Sequence, residues 1–165
     1  RVGEAGVLRT HLARGNAHLD SLATASTCLA AFSGPQAYVS PSWYPTKAET
    51  GRVVPTWNFV SVQARGRPRV IDDPEWIRAQ IEAVTDRMER DRAAPWAVSD
   101  APDGFIAGQM RGIVGVEIPI AGIEGKWKIS QNRSVADQRG VVEGLRRDGG
   151  AGADVARLME REGAS

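Results

Sequence analysis

The clearest patterning lies between residues 113 and 130, where Val114, Val116, Ile118 and Ile120 alternate with Gly115, Glu117 and Pro119. Ile123, Trp127 and Ile129 then alternate with Glu124, Lys126, Lys128 and Ser130. A period of two marks strands with one buried face, so two antiparallel strands joined at Ala121 and Gly122 are expected. Pro119 cannot donate to a ladder and argues that at least one of the two strands has an unpaired edge or a bulge. Upstream, Val7 to Leu12 and Cys28 to Phe32 are short apolar runs. Ser33, Gly34, Pro35 and Gln36 supply turn chemistry before Tyr38, which predicts a hairpin. Residues 40–52 read as a loop. From Val53 to Ala64 a further strand puts Thr56, Asn58, Val60 and Val62 on one face and Trp57 and Phe59 on the other. A tight turn at Gly66, flanked by Arg65 and Arg67, is expected to return the chain through Arg69 to Ile71.

Helical spacing appears elsewhere. Asp72 or Asp73 followed by Pro74 and Glu75 is a helix start, and Ile77, Ile81, Val84 and Met88 recur at helical intervals, predicting a helix over about 74–91. A shorter helix over 101–110 would bury Phe105, Ile106 and Met110. Ser134 with Asp137 three residues on opens a helix whose buried face is Val135, Val142 and Leu145; Asp148 to Gly152 breaks it, and a last helix carries Val155, Leu158 and Met159. The sum is a meander of about six strands with inserted and appended helices, an α+β or small β-barrel class.

Composition narrows the function classes. At 165 residues, with 42% hydrophobic and 25% charged positions, the chain is long enough for one globular domain with its own core. The single Cys28 forms no intramolecular bridge and suits a reducing compartment. No apolar run approaches the ~20 residues of a membrane span and no secretory signal opens the chain, so a cytoplasmic location is expected. A net charge of +1 creates no global field toward nucleic acid or a membrane, so any anionic ligand needs a local constellation.

His11 and His18 are the only histidines, and with no Cys-x-x-Cys or His-Glu-x-x-His spacing a metal site is not expected. No Gly-Lys-Ser/Thr cradle occurs, and Gly112 and Gly115 precede a strand instead of a helix. What remains is a scatter of rings, amides and cations: His11, Arg14 and Asn16; Ser40, Ser42, Trp43, Tyr44 and Lys47; Thr56, Trp57 and Asn58; Lys126, Lys128, Ser130, Gln131 and Asn132. Gathered at strand ends they would seat a flat, polar, phosphorylated molecule. Each also has an ordinary explanation: Trp57 and Trp127 as core rings, Lys126 and Lys128 as a wet strand face, Ser42 as a turn former.

The segments Phe32-Ser33-Gly34-Pro35-Gln36-Ala37-Tyr38-Val39-Ser40-Pro41-Ser42-Trp43-Tyr44, then Lys47, then Val54-Pro55-Thr56-Trp57-Asn58-Phe59, and Lys128-Ile129-Ser130-Gln131-Asn132-Arg133 resemble the PaiB-like family of FMN-binding split-barrel proteins. His11-Leu12-Ala13-Arg14-Gly15-Asn16 is similar to that family's His-Val-Ala-Arg-Ala-Asn stretch, with Gly15 and Ala17 replacing the more usual Ala and Pro. The resemblance runs over essentially the whole chain. It implies an α+β split β-barrel as a single domain over 1–165, with a C-terminal helical extension over 134–165. An N-terminal helix and first strands would precede His11 in that family and are expected to be lacking here.

The resemblance further implies FMN in a cleft between the subunits of a homodimer. Its cofactor-binding residues would be His11, Arg14, Ser40, Ser42, Trp43, Lys47, Thr56, Trp57, Asn58, Lys128, Ser130 and Gln131. Lys128, Ser130 and Lys47 suit the phosphate, Thr56 and Asn58 the pyrimidine edge, and Trp43 or Trp57 the ring face. No catalytic residue is assigned. Any enzyme activity would be that of an FMN-dependent oxidoreductase, with a nicotinamide as electron donor, because redox chemistry belongs to the flavin. Family members are often described as negative transcriptional regulators of sporulation and protease genes, so a DNA-binding regulator is the second expectation. Its helix pair would be Ser134 to Arg147 and Ala153 to Glu162, although the second helix carries a local charge of −1. A haem-binding or haem-degrading split barrel, with His11 or His18 as axial ligand, is the third.

Overall fold

In a computed structural model describing residues 6–163, strands and helices follow in the order β1 (Val7–Ala13), α1 (His18–Thr24), β2 (Cys28–Val39), α2 (Thr46–Thr50), β3 (Thr56–Gly66), β4 (Arg69–Ile71), α3 (Pro74–Glu89), α4 (Asp103–Met110), β5 (Ile113–Pro119), β6 (Gly122–Lys128), α5 (Val135–Asp148) and α6 (Ala151–Gly163). Two three-stranded sheets form, ordered β1-β5-β4 and β2-β3-β6, and neither closes on itself. Contacts divide the chain into two compact units, one of residues 1–30 and 64–123, the other of residues 31–63 and 124–165.

In the first unit β5 is the central strand, antiparallel to both neighbours, with His11 and Ile71 opposite Gly115, and Arg9 and Arg69 opposite Glu117. Leu22 of α1 packs with Val116 and Ile118, and Leu8, Leu12, Leu19 and Cys28 complete that cluster. Residues one position out of phase meet α3 instead. Trp76 lies so close to Gly115 that an added Cβ would enter its ring, and His11 Nδ1 sits 2.7 Å from Gln80 Oε1. The α3 start is as the sequence reads: the Asp73 carboxylate accepts the Glu75 N–H at 3.0 Å and Pro74 follows the cap. Ile77 is buried, but Val84 and Met88 are exposed, so the helix presents Trp76, Ile77 and Gln80 in place of a continuous apolar stripe.

Strands β5 and β6 belong to different sheets and are not partners. Pro119 ends β5, a central strand, where its missing N–H and rigid ring stop the ladder, and of the two strands β6 is the one with an unpaired edge, as expected. The basic turn is not a hairpin either, because β4 pairs with β5 instead of folding back on β3. Gly66 is needed for close approach: a Cβ there would strike the Pro119 carbonyl, and beside it the Ala121 N–H donates to the Arg65 carbonyl at 2.7 Å. Helix α1, entered through the Asn16 side chain accepting the His18 N–H at 2.9 Å, had no sequence signal beyond that amide.

In the second unit β2 runs unbroken through Ser33 to Gln36, so the expected hairpin is absent. Gly34 faces Val60, whose Cβ would be 3.2 Å from an added Cβ, and Pro35 is tolerated because β2 is an edge strand. Residues 40–52 are not irregular: a 3₁₀ turn over Pro41–Trp43 leads into α2, closed by Gly51 at φ 67°. The core gathers Val39, Tyr44, Ile129, Val141, Leu145, Val155, Ala156 and Met159. Helix α5 starts at Ser134, whose hydroxyl accepts the Asp137 N–H at 3.1 Å, and its break from α6 uses Gly149 and Gly150, both at positive φ. Val135, expected inside, is exposed, and Val141 takes the buried position. Phe105 of the first unit is likewise exposed where burial was expected.

Candidate functional site

The second unit holds ten of the twelve candidate residues. Lys128 closes β6 and Thr56 opens β3, and the Lys128 ammonium donates to the Thr56 hydroxyl at 2.9 Å. Among the described residues that hydroxyl is its polar partner and no carboxylate pairs with it, so the cation stays available at one end of the sheet. A second lysine is held the same way: Lys47 donates to Ser42 Oγ at 3.1 Å, and Ser40 Oγ in turn accepts the Ser42 N–H at 3.2 Å.

Two residues further along β3, and two residues past the end of β6, the chain turns inward. Asn58 and Ser130 are buried and bond to each other, Nδ2 to Oγ at 3.0 Å and Oγ to Oδ1 at 3.2 Å, with Met159 Sδ as a third neighbour at 3.6 Å. Ser130 adopts φ 64°, an uncommon conformation for a residue with a side chain. Gln131 is committed to the same corner, donating to the Trp127 carbonyl at 2.6 Å and accepting the Ile129 N–H at 2.8 Å. The Lys128 to Arg133 segment is thus a corner held by its own side chains.

Trp57 lies on the opposite face of β3. It is 47% exposed, and Trp127 is 43% exposed, which corrects the view of both as core rings. Trp57 Nε1 donates to Gln36 Oε1 at 3.0 Å and its ring meets Tyr38 edge-on at 6.4 Å, so Gln36 and Tyr38 fix its plane. Neither was a candidate by residue type; the period-two reading of β2, had it been carried through Gly34 and Pro35, would have set both on that face. Phe32 is also exposed. Trp43, by contrast, packs its pyrrole ring against Gly144 of α5, and Tyr44 is buried under the Arg133 guanidinium, 4.9 Å from the ring centre.

Beneath this corner Asp137 receives the Thr46 N–H at 3.2 Å and its hydroxyl at 2.8 Å. Burial works against ionisation, but the Thr46 and Ser134 hydrogen bonds and the Arg133 charge outweigh it and hold the carboxyl below its usual value. The pair ties α2 to the start of α5.

His11 and Arg14 lie in the first unit. Arg14 donates to both Asp72 oxygens at 2.6 Å, to the Arg111 carbonyl at 3.1 Å and to the Ile113 carbonyl at 3.3 Å, so four of its donors hold local structure. The hydrogen bonds to each other raise the Arg14 pKa and lower that of Asp72. Desolvation raises the Cys28 thiol, which keeps it protonated. No described helix is long and apolar enough to cross a membrane.

Residues 1–122 match the family described as "Putative FMN-binding domain". The chain belongs to that family. It is 34% identical to an uncharacterized protein of Emericella nidulans over 96% of this chain and 74% of the relative. It is 30% identical to the protease synthase and sporulation protein PAI 2 of Bacillus subtilis, over 91% of this chain and 70% of that one. Among solved structures, the FAD and heme binding protein from Mycobacterium smegmatis superposes with a TM-score of 0.52 at 18% identity, over 78% of this chain and 55% of that protein. These matches bear out the expected family and the α+β split-barrel class, its two sheets left open.

Proposed function

We propose that this chain binds FMN at the Lys128 end of the β2-β3-β6 sheet and works as a flavoprotein. The observation that carries the reading is the Lys128 and Thr56 pair: an exposed ammonium with no carboxylate partner among the described residues, preset by a hydroxyl that can itself donate, is the equipment a phosphate dianion requires. Lys47 and Ser42 repeat that arrangement on the segment leading into β3. Trp57, steadied by Gln36 and Tyr38, lies on the other face of β3 and belongs with the rings that a partner surface would cover. Asn58, Ser130 and Gln131 hold the corner from which Lys128 projects. When bound, the flavin supplies the hydride or electron chemistry; the chain binds, orients and shields it.

The exposed Phe32, Tyr38, Trp57 and Trp127 leave four half-exposed rings on this sheet that a partner surface would cover. A second copy of the chain is the cover this reading assigns, making a homodimer with flavin between subunits, and a nicotinamide is the electron donor that suits a flavin reductase. Reconstitution with FMN tests the reading. Retention of a flavin spectrum through gel filtration supports it, and loss of all flavin at that step overturns it.

One observation favours a second, haem-binding reading. His11 Nδ1 is taken up by Gln80 Oε1 at 2.7 Å, so Nε2 would be the ring nitrogen left to hold a haem iron. The same reconstitution with hemin, read at the Soret band, separates the two. For a regulator that itself reads DNA, the PAI 2 likeness is the support. Against it, α6 buries Val155, Ala156 and Met159 and pairs Arg157 with Asp154, while Glu160 of α6 holds Arg146 of α5.

A further inference from the structure

We propose that the first unit carries a second ligand site, separate from the flavin surface, that takes a small apolar carboxylate between α3 and α4. The site is a cleft of about 330 Å³ with Pro74, Ile77, Ala107 and Met110 on its walls. That volume is at the lower end of small-molecule pockets, and the mix of apolar wall with few polar groups is typical of them.

The charges around the cleft differ in commitment. Arg14 and Asp72 neutralise each other through two short bonds, and Arg14 is further held by two carbonyls. Arg78 bonds Glu82 at 2.9 Å and lies 3.8 Å from Asp103, itself 92% exposed. Arg111 is different. No carboxylate among the described residues pairs with it, and its guanidinium folds back over Gly108, where an added Cβ would be 3.6 Å from Nη2.

An apolar cavity with one uncommitted guanidinium at its rim and a second loosely held calls for a single anionic head on an apolar body. Guanidinium geometry matches a carboxylate through two parallel hydrogen bonds. Arg14 and Asp72 serve as the fixed wall that keeps the head on the Arg111 side. A neutral molecule of the same shape would leave Arg111 as it is and gain only the apolar contact; a bare anion would gain only the charge.

The chain's three methionines make the test direct, since Met110 lines the cleft while Met88 and Met159 do not. Methionine-methyl NMR of the intact chain is followed on titration with 4-phenylbutyrate, with 4-phenylbutanol and with inorganic phosphate. The site predicts a saturable shift of the Met110 signal with 4-phenylbutyrate at a dissociation constant of about 1 mM or lower, Met88 and Met159 unmoved. The alcohol and phosphate should each bind about tenfold more weakly or worse, and Arg111→Ala should weaken 4-phenylbutyrate by about tenfold. Ala107→Phe, which fills the wall and keeps the charge, should abolish the shift. An unmoved Met110 signal, equal binding of acid and alcohol, equal binding of phosphate, or an unchanged affinity in Arg111→Ala would each overturn the proposal. Flavin retention is read separately, so neither result depends on the other.

Discussion

Trp43 rests on Gly144. The pyrrole ring of the indole occupies the space a Cβ at position 144 would need, and the Trp43 carbonyl does the same at Gly140 one turn earlier. The two glycines of α5 are a groove for the 3₁₀ turn that precedes α2, and through it the segment bearing Ser42 and Lys47 is fixed to the helices.

Helix propensity and packing then predict opposite signs for one substitution. In a helix interior Gly→Ala is ordinarily stabilising by up to ~1 kcal/mol. At Gly144 the methyl group must displace Trp43, so Gly144→Ala is expected to destabilise by about 1–3 kcal/mol. Gly104 of α4, with open space around it, should show the ordinary stabilising sign. Urea unfolding of both variants checks this; two stabilised variants would refute the packing account.

Asp137 sets a pH dependence. Its carboxyl titrates below the unfolded value, so its contribution is fully present above the ordinary aspartate range, about 3.9, and is lost as pH falls through the lower folded value. Asp137→Ala should cost about 1–3 kcal/mol at neutral pH, since it strands the Thr46 donors. The gap between variant and parent should shrink below pH 4. Thermal unfolding across that range measures it, and a gap constant with pH would contradict the assignment.

The dimer expectation follows from the exposed rings of the second unit. Light scattering of the flavin-loaded protein should report twice the chain mass of 17.7 kDa. Trp57→Arg, which puts charge on that face, should return the mass to one copy. A monodisperse monomer that still retains FMN would remove the second copy from the account.

DNA binding should be weak and indifferent to sequence, with a dissociation constant of roughly 10⁻⁴ to 10⁻⁶ M at physiological salt. The net charge is +1, and among the basic-turn residues Arg69 is already bound to Glu117 at 2.8 Å. Competition footprinting on a promoter fragment decides it. A footprint that survives excess random duplex and vanishes in the Arg65, Arg67, Arg69 to alanine variant would reverse the conclusion.

Much of this was legible in the residues, and the failures share a cause. The α3 start, the Ser134 cap and the β5 alternation are local, so Asp73, Ser134 and Val114 to Ile118 announced them. Strand partnership is not local: nothing in Ala121 and Gly122 says that the chain changes sheets there. Gly34 and Pro35 carry turn chemistry, yet an edge strand tolerates the proline and a neighbouring Val60 demands the glycine. The candidate site divided for the same reason. Lys128, Thr56, Lys47 and Ser42 were recognised by type, whereas the burial of Asn58 and Ser130 depends on α6 crossing behind them. Trp127 alternates with the lysines as a buried position would, yet every residue of β6 is exposed.

Flavin binding at Lys128 is tested by titrating FMN into the apoprotein and into Lys128→Ala while following quenching of flavin fluorescence. The exposed Lys128 ammonium bonds the Thr56 hydroxyl and, among the described residues, pairs with no carboxylate, so the variant should keep the parent's thermal midpoint. Its FMN affinity should fall by about 1.5–3 kcal/mol, roughly ten- to a hundredfold, the loss of one charge-assisted hydrogen bond. Saturable binding that is identical in parent and variant would return Lys128 to a solvated strand end and contradict the site.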